Sequence, residues 1–138
     1  MNYLLDTCVL SEYKKLKPES KVIEWLDNQA NDSLFLSVLT IGELEKGVFR
    51  MPASKRKTDL ADFLETLIVQ FEHHLLSVDA AIMRRWGKIM GDLESKGRIP
   101  PVIDSLMAAT ALEHGLTIVT RNEDDFAATG VNVLNLWQ

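Results

Sequence analysis

The chain has 138 residues, of which 46% are hydrophobic and 25% are charged, and it contains one cysteine. This is the composition of an ordinary globular protein, and it excludes a disordered chain, a collagen-like repeat and a disulfide scaffold. The formal net charge of −5 excludes a protein that depends on nonspecific attraction to phosphates. Any contact with nucleic acid must therefore come from a local basic patch or from metal ions.

The sequence also predicts where the protein works. It shows no basic targeting leader, and no stretch approaches the roughly 18 uncharged apolar residues of a membrane span. Cys8 cannot form an internal disulfide, which fits a reducing compartment. We therefore expect a cytoplasmic protein with no membrane partner, built as a single domain over residues 1–138.

Short apolar runs alternate with stretches of helical periodicity along the chain. In chain order these patterns predict a strand over 2–5, a helix from Pro18 to residue 26, a strand over 34–38, helices from Thr40 and over 54–73, and a strand over 75–78. There follow a helix capped by Asp79 and stopped by Gly97, a helix over 102–114 ended by Gly115, and strands over 117–120 and 131–134. The alternation predicts an α/β fold in which helices flank a parallel, doubly wound, twisted sheet.

Polar and acidic side chains follow the ends of the predicted strands or open the helix after the double proline. They are Asp6, Glu43, Asp104, Asn122 and Asp125. Because ligands of open α/β sheets bind beyond the carboxyl ends of the strands, we expect these side chains to meet at one edge. Crowded carboxylates repel one another unless a cation neutralises them. A set of oxygen ligands without His or Cys favours Mg²⁺ or Mn²⁺ over Zn²⁺.

Each acid also has an ordinary structural interpretation. Asp6 could end a strand as a turn residue. The sequence Thr40-x-x-Glu43 matches a capping box, which explains Glu43 without catalysis. Asp104 suits the first turn of a helix because of the helix dipole, and Asp125 is most simply a solvated loop acid. The joint placement of the acids, rather than any one of them, is therefore the signal.

Two basic clusters stand out in this acidic chain. One covers residues 55–57 at a predicted helix start, and the other contains Arg84, Arg85 and Lys88. Solvated helix faces are the default interpretation of both clusters, and contact with phosphate is the alternative.

Four segments occur in the order and at the spacing of a known family. They are LLDTCVLSE near the start, SVLTIGELEKG over 37–47, IPPVIDSLMAATALEHG over 99–115 and TIVTRNEDDF over 117–126. With these motifs the sequence resembles the PIN-domain ribonucleases, and more narrowly the VapC toxins of bacterial toxin–antitoxin pairs, including the FitB-like branch. The resemblance covers essentially the whole chain.

The resemblance implies an endoribonuclease that depends on Mg²⁺ or Mn²⁺. It would cleave tRNA or ribosomal RNA through metal-activated water and so inhibit translation. Asp6, Glu43 and Asp104 are the implied catalytic and metal-binding acids. Asn122 stands where the family carries a further acid and offers a carbonyl oxygen without charge. Asp125 matches another commonly acidic position and is expected to compensate in part.

Supporting residues and partners follow from the same resemblance. Thr7 and Thr120 are expected to hydrogen-bond the carboxylates or the water, and Arg121 to contact phosphate. The family implies a homodimer that a VapB-like antitoxin holds inactive, with a larger assembly of the two. A basic inhibitor suits an acidic site. Apolar residues within 22–26 and 60–71 are candidates for its groove, unless they belong to the core of this domain.

Other interpretations stay open. Asn122 favours a non-catalytic binding module that keeps the fold, although the three implied acids oppose it. A receiver domain needs an acceptor aspartate and a lysine after its strands, where this chain has Leu39 and Arg121. A haloacid-dehalogenase-type phosphatase needs a second aspartate two residues after Asp6, where this chain has Cys8.

Overall fold

A computed structural model describes residues 1–138 and contains five strands and six α-helices. The strands are β1 (Tyr3–Leu5), β2 (Leu34–Ser37), β3 (Leu75–Leu76), β4 (Thr117–Val119) and β5 (Val133–Leu134). The helices are α1 (Thr7–Ser11), α2 (Ser20–Asp27), α3 (Val38–Phe49), α4 (Lys55–Gln70), α5 (Ala80–Ser95) and α6 (Val102–His114). None of the helices combines the length and hydropathy needed to cross a bilayer.

The five strands form one parallel sheet in the order β3-β2-β1-β4-β5. Leu4 of β1 pairs with Phe35 of β2 on one side and with Ile118 of β4 on the other. The chain builds outward from β1 through β2 and β3, and then crosses to add β4 and β5 on the opposite side. The boundary between β1 and β4 is therefore the switch point where such sheets form their ligand crevice.

Helices cover both faces of the sheet. Because successive residues of a strand point to opposite faces, each central strand contributes side chains to two separate core clusters. Leu5 and Val119 lie in one core cluster with apolar side chains of α1, α2 and α4. Leu4 and Ile118 lie in a second cluster, which α6 completes. The predicted class, an α/β fold with a parallel sheet flanked by helices, is confirmed.

The boundaries of several elements differ from the prediction. Helix α3 begins at Val38 rather than at Thr40, because the Ser37 hydroxyl accepts a hydrogen bond from the Leu39 N–H at 3.0 Å and caps the helix. Helix α2 begins at Ser20, with Glu19 as its cap, rather than at Pro18. Helix α1 was not predicted at all, and residues 71–73 lie beyond the end of α4.

Candidate metal-binding active site

Asp6 lies at the switch point, between the end of β1 and the start of α1. Its side chain is 5% exposed and accepts two hydrogen bonds at 2.8 Å, one from the Thr7 N–H and one from the Thr120 hydroxyl. Its own N–H donates to the Val119 carbonyl at 3.0 Å, which joins β1 to β4. The two side-chain bonds therefore fix the orientation of the carboxylate, and the backbone bond fixes Asp6 where β1 meets β4.

Glu43 reaches the same place from the second turn of α3. Its carboxylate accepts a 2.8 Å hydrogen bond from the hydroxyl of Thr7, which is 36 residues away in sequence. The capping-box interpretation of Glu43 is wrong, because Ser37 caps α3. Thr40 is fully buried, with its hydroxyl 3.8 Å from the sulfur of Met107. Glu43 therefore does not cap α3, and its side chain is held by Thr7, the residue that follows Asp6.

Asp104 joins the cluster from the first turn of α6, at a helix N-terminus without a side-chain cap. Burial raises the pKa of Asp104 to about 6, with further contributions from the negative charges of Asp6, Asp125 and Glu43. The attraction of the helix N-terminus for an anion is therefore weaker than these opposing effects. The carboxylates of Asp6, Asp125 and Glu43 therefore lie close enough for their charges to act on Asp104.

Asn122 and Asp125 follow β4, at either end of one short turn. The Asn122 N–H donates to the Thr120 hydroxyl at 3.0 Å, and its carbonyl accepts from the Asp125 N–H at 3.2 Å. The Asn122 side chain is exposed and makes no hydrogen bond. Asp125 is half-buried, and its charge raises the pKa of Asp104 more than that of Glu43 does. Asp125 is therefore part of the acidic cluster, whereas Asn122 lies at its rim.

No basic side chain neutralises this cluster. The five ion pairs of the protein all lie elsewhere. Arg121 directly follows Thr120, but its guanidinium lies over the Trp137 ring, 5.1 Å from the ring centroid. The site therefore has negative charge and oxygen ligands, without the counter-ions that usually accompany half-buried carboxylates.

The donor set fits a hard divalent cation. As the side chains stand, no three His, Cys, Asp or Glu residues converge closely enough to hold an ion. Mg²⁺ commonly takes only one or two protein carboxylates and keeps several waters, so it does not require a preformed cage. A cation with few direct protein ligands agrees with both the donor chemistry and the spread of the carboxylates.

Two features of the site have no local signature in the sequence. The Trp86 indole N–H donates to the Ser105 hydroxyl at 2.8 Å and ties α5 to α6 beside Asp104. The Cys8 sulfur accepts a hydrogen bond from the Arg121 N–H at 3.4 Å. Burial raises the pKa of the Cys8 thiol, and the negative charge of Asp6 acts in the same direction. Both contacts join segments that are distant in the chain, so no short motif could reveal them.

Comparison with known proteins gives consistent matches over nearly the whole chain. The model of the PIN domain family matches residues 3–132. The chain is 34% identical over 136 residues to VapC ribonuclease Y4jK of Sinorhizobium fredii, and the alignment covers 98% of this chain and 97% of that protein. It is 34% identical over 135 residues to toxin FitB of Neisseria gonorrhoeae, with 97% of each covered. The crystal structure of FitAcB from the same species superposes with a TM-score of 0.92 at 33% identity, over 99% of both chains.

Proposed function

The chain belongs to the PIN-domain family, and we propose that it is a divalent-metal-dependent endoribonuclease that acts as the toxin of a toxin–antitoxin pair. One observation carries the proposal: four carboxylates gather at the switch point without a counter-ion, and the pKa of Asp104 rises to about 6. An uncompensated cluster of this kind is a feature of functional sites rather than of stable cores. The names of the relatives, a toxin and a VapC ribonuclease, support the same activity.

In the proposed mechanism Asp6 and Asp104 would hold the ion, either Mg²⁺ or Mn²⁺, and Glu43 would bind it or orient the attacking water. When bound, the cation offsets the charges of the carboxylates and the phosphate and makes water a better nucleophile. Thr7 supports two acids at once, because its N–H binds Asp6 and its hydroxyl binds Glu43. The Thr120 hydroxyl fixes the other oxygen of Asp6. The products would carry a 5′-phosphate and a 3′-hydroxyl.

We propose tRNA or ribosomal RNA as the substrate, so that cleavage inhibits translation in the cytoplasm. Arg121 is not aimed at the acids, since its guanidinium packs on Trp137. A role for Arg121 in phosphate binding would require it to leave that ring. Asn122 is exposed at the rim of the site, where an uncharged carbonyl would make only a weak contribution to a second cation.

A groove of about 900 Å³ supports the proposed antitoxin partner. Its walls come from the ends of α2 and α4, and its apolar lining includes Leu10, Leu26, Phe63 and Phe71. An amphipathic antitoxin segment would place its apolar face there. Val22, from the predicted stretch 22–26, is fully buried in the core and does not line the groove. We propose that a basic VapB-like antitoxin occupies the groove, favoured by the net charge of −5.

We also propose a homodimer, which a larger assembly with the antitoxin would contain. Phe49, Val69 and Ile99 are apolar side chains that stay at least 68% exposed in the isolated chain. A second copy would remove such side chains from water. Sedimentation of the purified protein should give the mass of two chains, and a purely monomeric species would contradict this part of the proposal.

Cleavage of RNA by the purified protein tests the activity. Wild type should cleave in Mg²⁺ or Mn²⁺ and stop cleaving in EDTA, and Asp104→Asn should be inactive although folded. Asp124→Asn is the matched control, because Asp124 is an exposed neighbour that does not act on Asp104. Cleavage that survives thorough chelation would contradict the metal requirement.

Growth of bacteria that express the chain tests the toxin role. Expression should arrest growth, Asp104→Asn should not, and co-expression of the antitoxin should restore growth to wild-type cells. Folded protein that neither arrests growth nor cleaves RNA would favour the non-catalytic PIN-fold binding module, which the uncharged Asn122 at the rim of the site also favours.

A further inference from the structure

A second, basic pocket adjoins the groove proposed for the antitoxin, shares Tyr13 and Lys14 with it, and contains none of the clustered acids. It is an open pocket with a volume of about 370 Å³, and it is lined by the turn after α1 and the first turns of α4. Its lining contains four basic residues and one acid, namely Lys14, Lys15, Lys55, Arg56 and Asp59, together with Tyr13 and Leu60. The formal charge of the lining is +3, within a protein whose net charge is −5. This is therefore a local basic patch of the kind that an acidic protein needs in order to bind phosphate.

Two of the four cations are not paired with acids. Lys15 forms an ion pair with the buried Glu12, and Lys55 with the half-exposed Asp59. Lys14 instead lies over the Phe63 ring, at 5.1 Å from the centroid. Arg56 donates only to the Lys14 carbonyl, at 3.4 Å. Lys14 and Arg56 therefore both line the pocket without an acidic partner.

The pocket is connected to the acidic cluster by continuous helical chain. Asp6 is followed by α1 and then by the short 3-10 turn Glu12–Lys14, so Lys14 lies eight positions after Asp6. At the α-helical and 3-10 rises these eight steps span at most about 14 Å, a distance that a short run of nucleotides can bridge. One RNA strand could thus contact the acidic cluster and the basic pocket at the same time.

We propose that this pocket binds backbone phosphates of the RNA substrate beside the cleavage site. The inference rests on the proposed ribonuclease function and adds a second point of contact to it. Tyr13 lines the same pocket, is 44% exposed and offers a ring on which a base can stack. Cations interleaved with an exposed aromatic ring are typical of sites for single-stranded nucleic acid. An acidic peptide would use the charges without any need for the ring, so the lining favours RNA.

Paired charge-removal variants test the proposal. Lys14→Gln/Arg56→Gln removes two charges from the pocket, and Arg84→Gln/Lys88→Gln removes two from the exposed face of α5 as a control with the same net charge. Binding of a fluorescent single-stranded RNA should be measured in the inactive Asp104→Asn background, and cleavage in the active one. The pocket variant should bind more weakly, and the slope of log affinity against log salt should fall by about 1.4, at about 0.7 per phosphate contact. The control should keep the full slope.

A third variant should act in the opposite direction. Asp59→Asn removes the acid of the pocket and releases Lys55, so RNA should bind more tightly than to wild type. If unfolding complicates the double variant, Lys14→Gln alone should still weaken binding while it leaves the contact of Arg56 with the backbone carbonyl in place.

The outcomes separate this inference from the proposed function. If wild type cleaves RNA and the pocket and control variants behave alike, the pocket proposal is overturned and the ribonuclease proposal stands. If no RNA is bound or cleaved by any protein, both are overturned. If the pocket variant loses binding to a polyglutamate probe but keeps RNA affinity, the pocket is a protein-docking surface and the proposal is wrong.

Discussion

Replacing Asp104 by asparagine should stabilise the metal-free protein near neutral pH, although it should abolish cleavage. Burial raises the pKa of this carboxyl from its ordinary 3.8 to about 6, helped by the charges of Asp6, Asp125 and Glu43. Asparagine has nearly the same shape and carries no charge. The substitution therefore removes the repulsion and keeps the packing at the start of α6.

The expected gain follows from the shift in pKa. About two pKa units at 1.36 kcal/mol each amount to roughly 3 kcal/mol. Asp104 is only half-buried, and solvent screening reduces the gain to about 1 kcal/mol. Because the pKa is raised in the folded state, the penalty is absent below about pH 4 and complete above about pH 6. The free energy of unfolding of wild type should therefore fall as the pH rises through this window, and the variant should lack this component of the fall.

Urea unfolding in EDTA at the two ends of the window measures the effect. The variant should be more stable than wild type near pH 7 by about 1 kcal/mol and equal to it near pH 4. Mg²⁺ near pH 7 should stabilise wild type more than the variant. Asp124→Asn should behave as wild type throughout. A variant less stable than wild type near pH 7 would contradict this expectation, because Asp104 would then be a stabilising partner rather than a repelled charge.

Five further substitutions, at four positions, test individual contacts. Thr7→Val should lower the cleavage rate by about 10- to 100-fold, because it releases Glu43, whereas Thr7→Ser should keep the wild-type rate. If Thr7→Val cleaves as fast as wild type, the bond from Thr7 to Glu43 is dispensable. Asn122→Asp should tighten Mn²⁺ binding and Asp125→Ala should weaken it, as measured by calorimetry. If neither substitution changes the affinity, residues 122 and 125 lie outside the metal site. Ser37→Ala should cost about 1 kcal/mol in thermal unfolding through loss of the α3 cap, and no loss would contradict the capping role.

The sequence predicted the architecture because hydrophobic periodicity reports burial directly. Strands flanked by helices on both faces appear as short apolar runs, and α6 was predicted at its observed bounds because Gly115 ends it in a left-handed conformation. Helix α1 was missed because five residues are too few to show a helical period, and they continue the apolar run of β1. Parallel pairing then brings the strand ends to one edge, so the meeting of distant acids was predictable.

The details of the site depend on contacts that no local pattern records. Ser37 and Thr40 are both capping residues by type, and which of them caps α3 depends on where β2 ends. The bond from Thr7 to Glu43 joins residues in two helices, and it can be seen only once both helices are packed. The effect of the Asp125 charge on the pKa of Asp104 likewise depends on how the turn after β4 folds back.

Binding of Mn²⁺ in the absence of RNA tests most directly whether the acidic cluster is a cation site. Calorimetric titration should show that wild type and Asp124→Asn bind the ion with the same affinity. Asp6→Asn and Asp104→Asn should each bind it at least about tenfold more weakly. If the four proteins bind Mn²⁺ alike, or if wild type does not bind it at all, the uncompensated carboxylates at the switch point do not form a metal centre and the proposed mechanism is wrong.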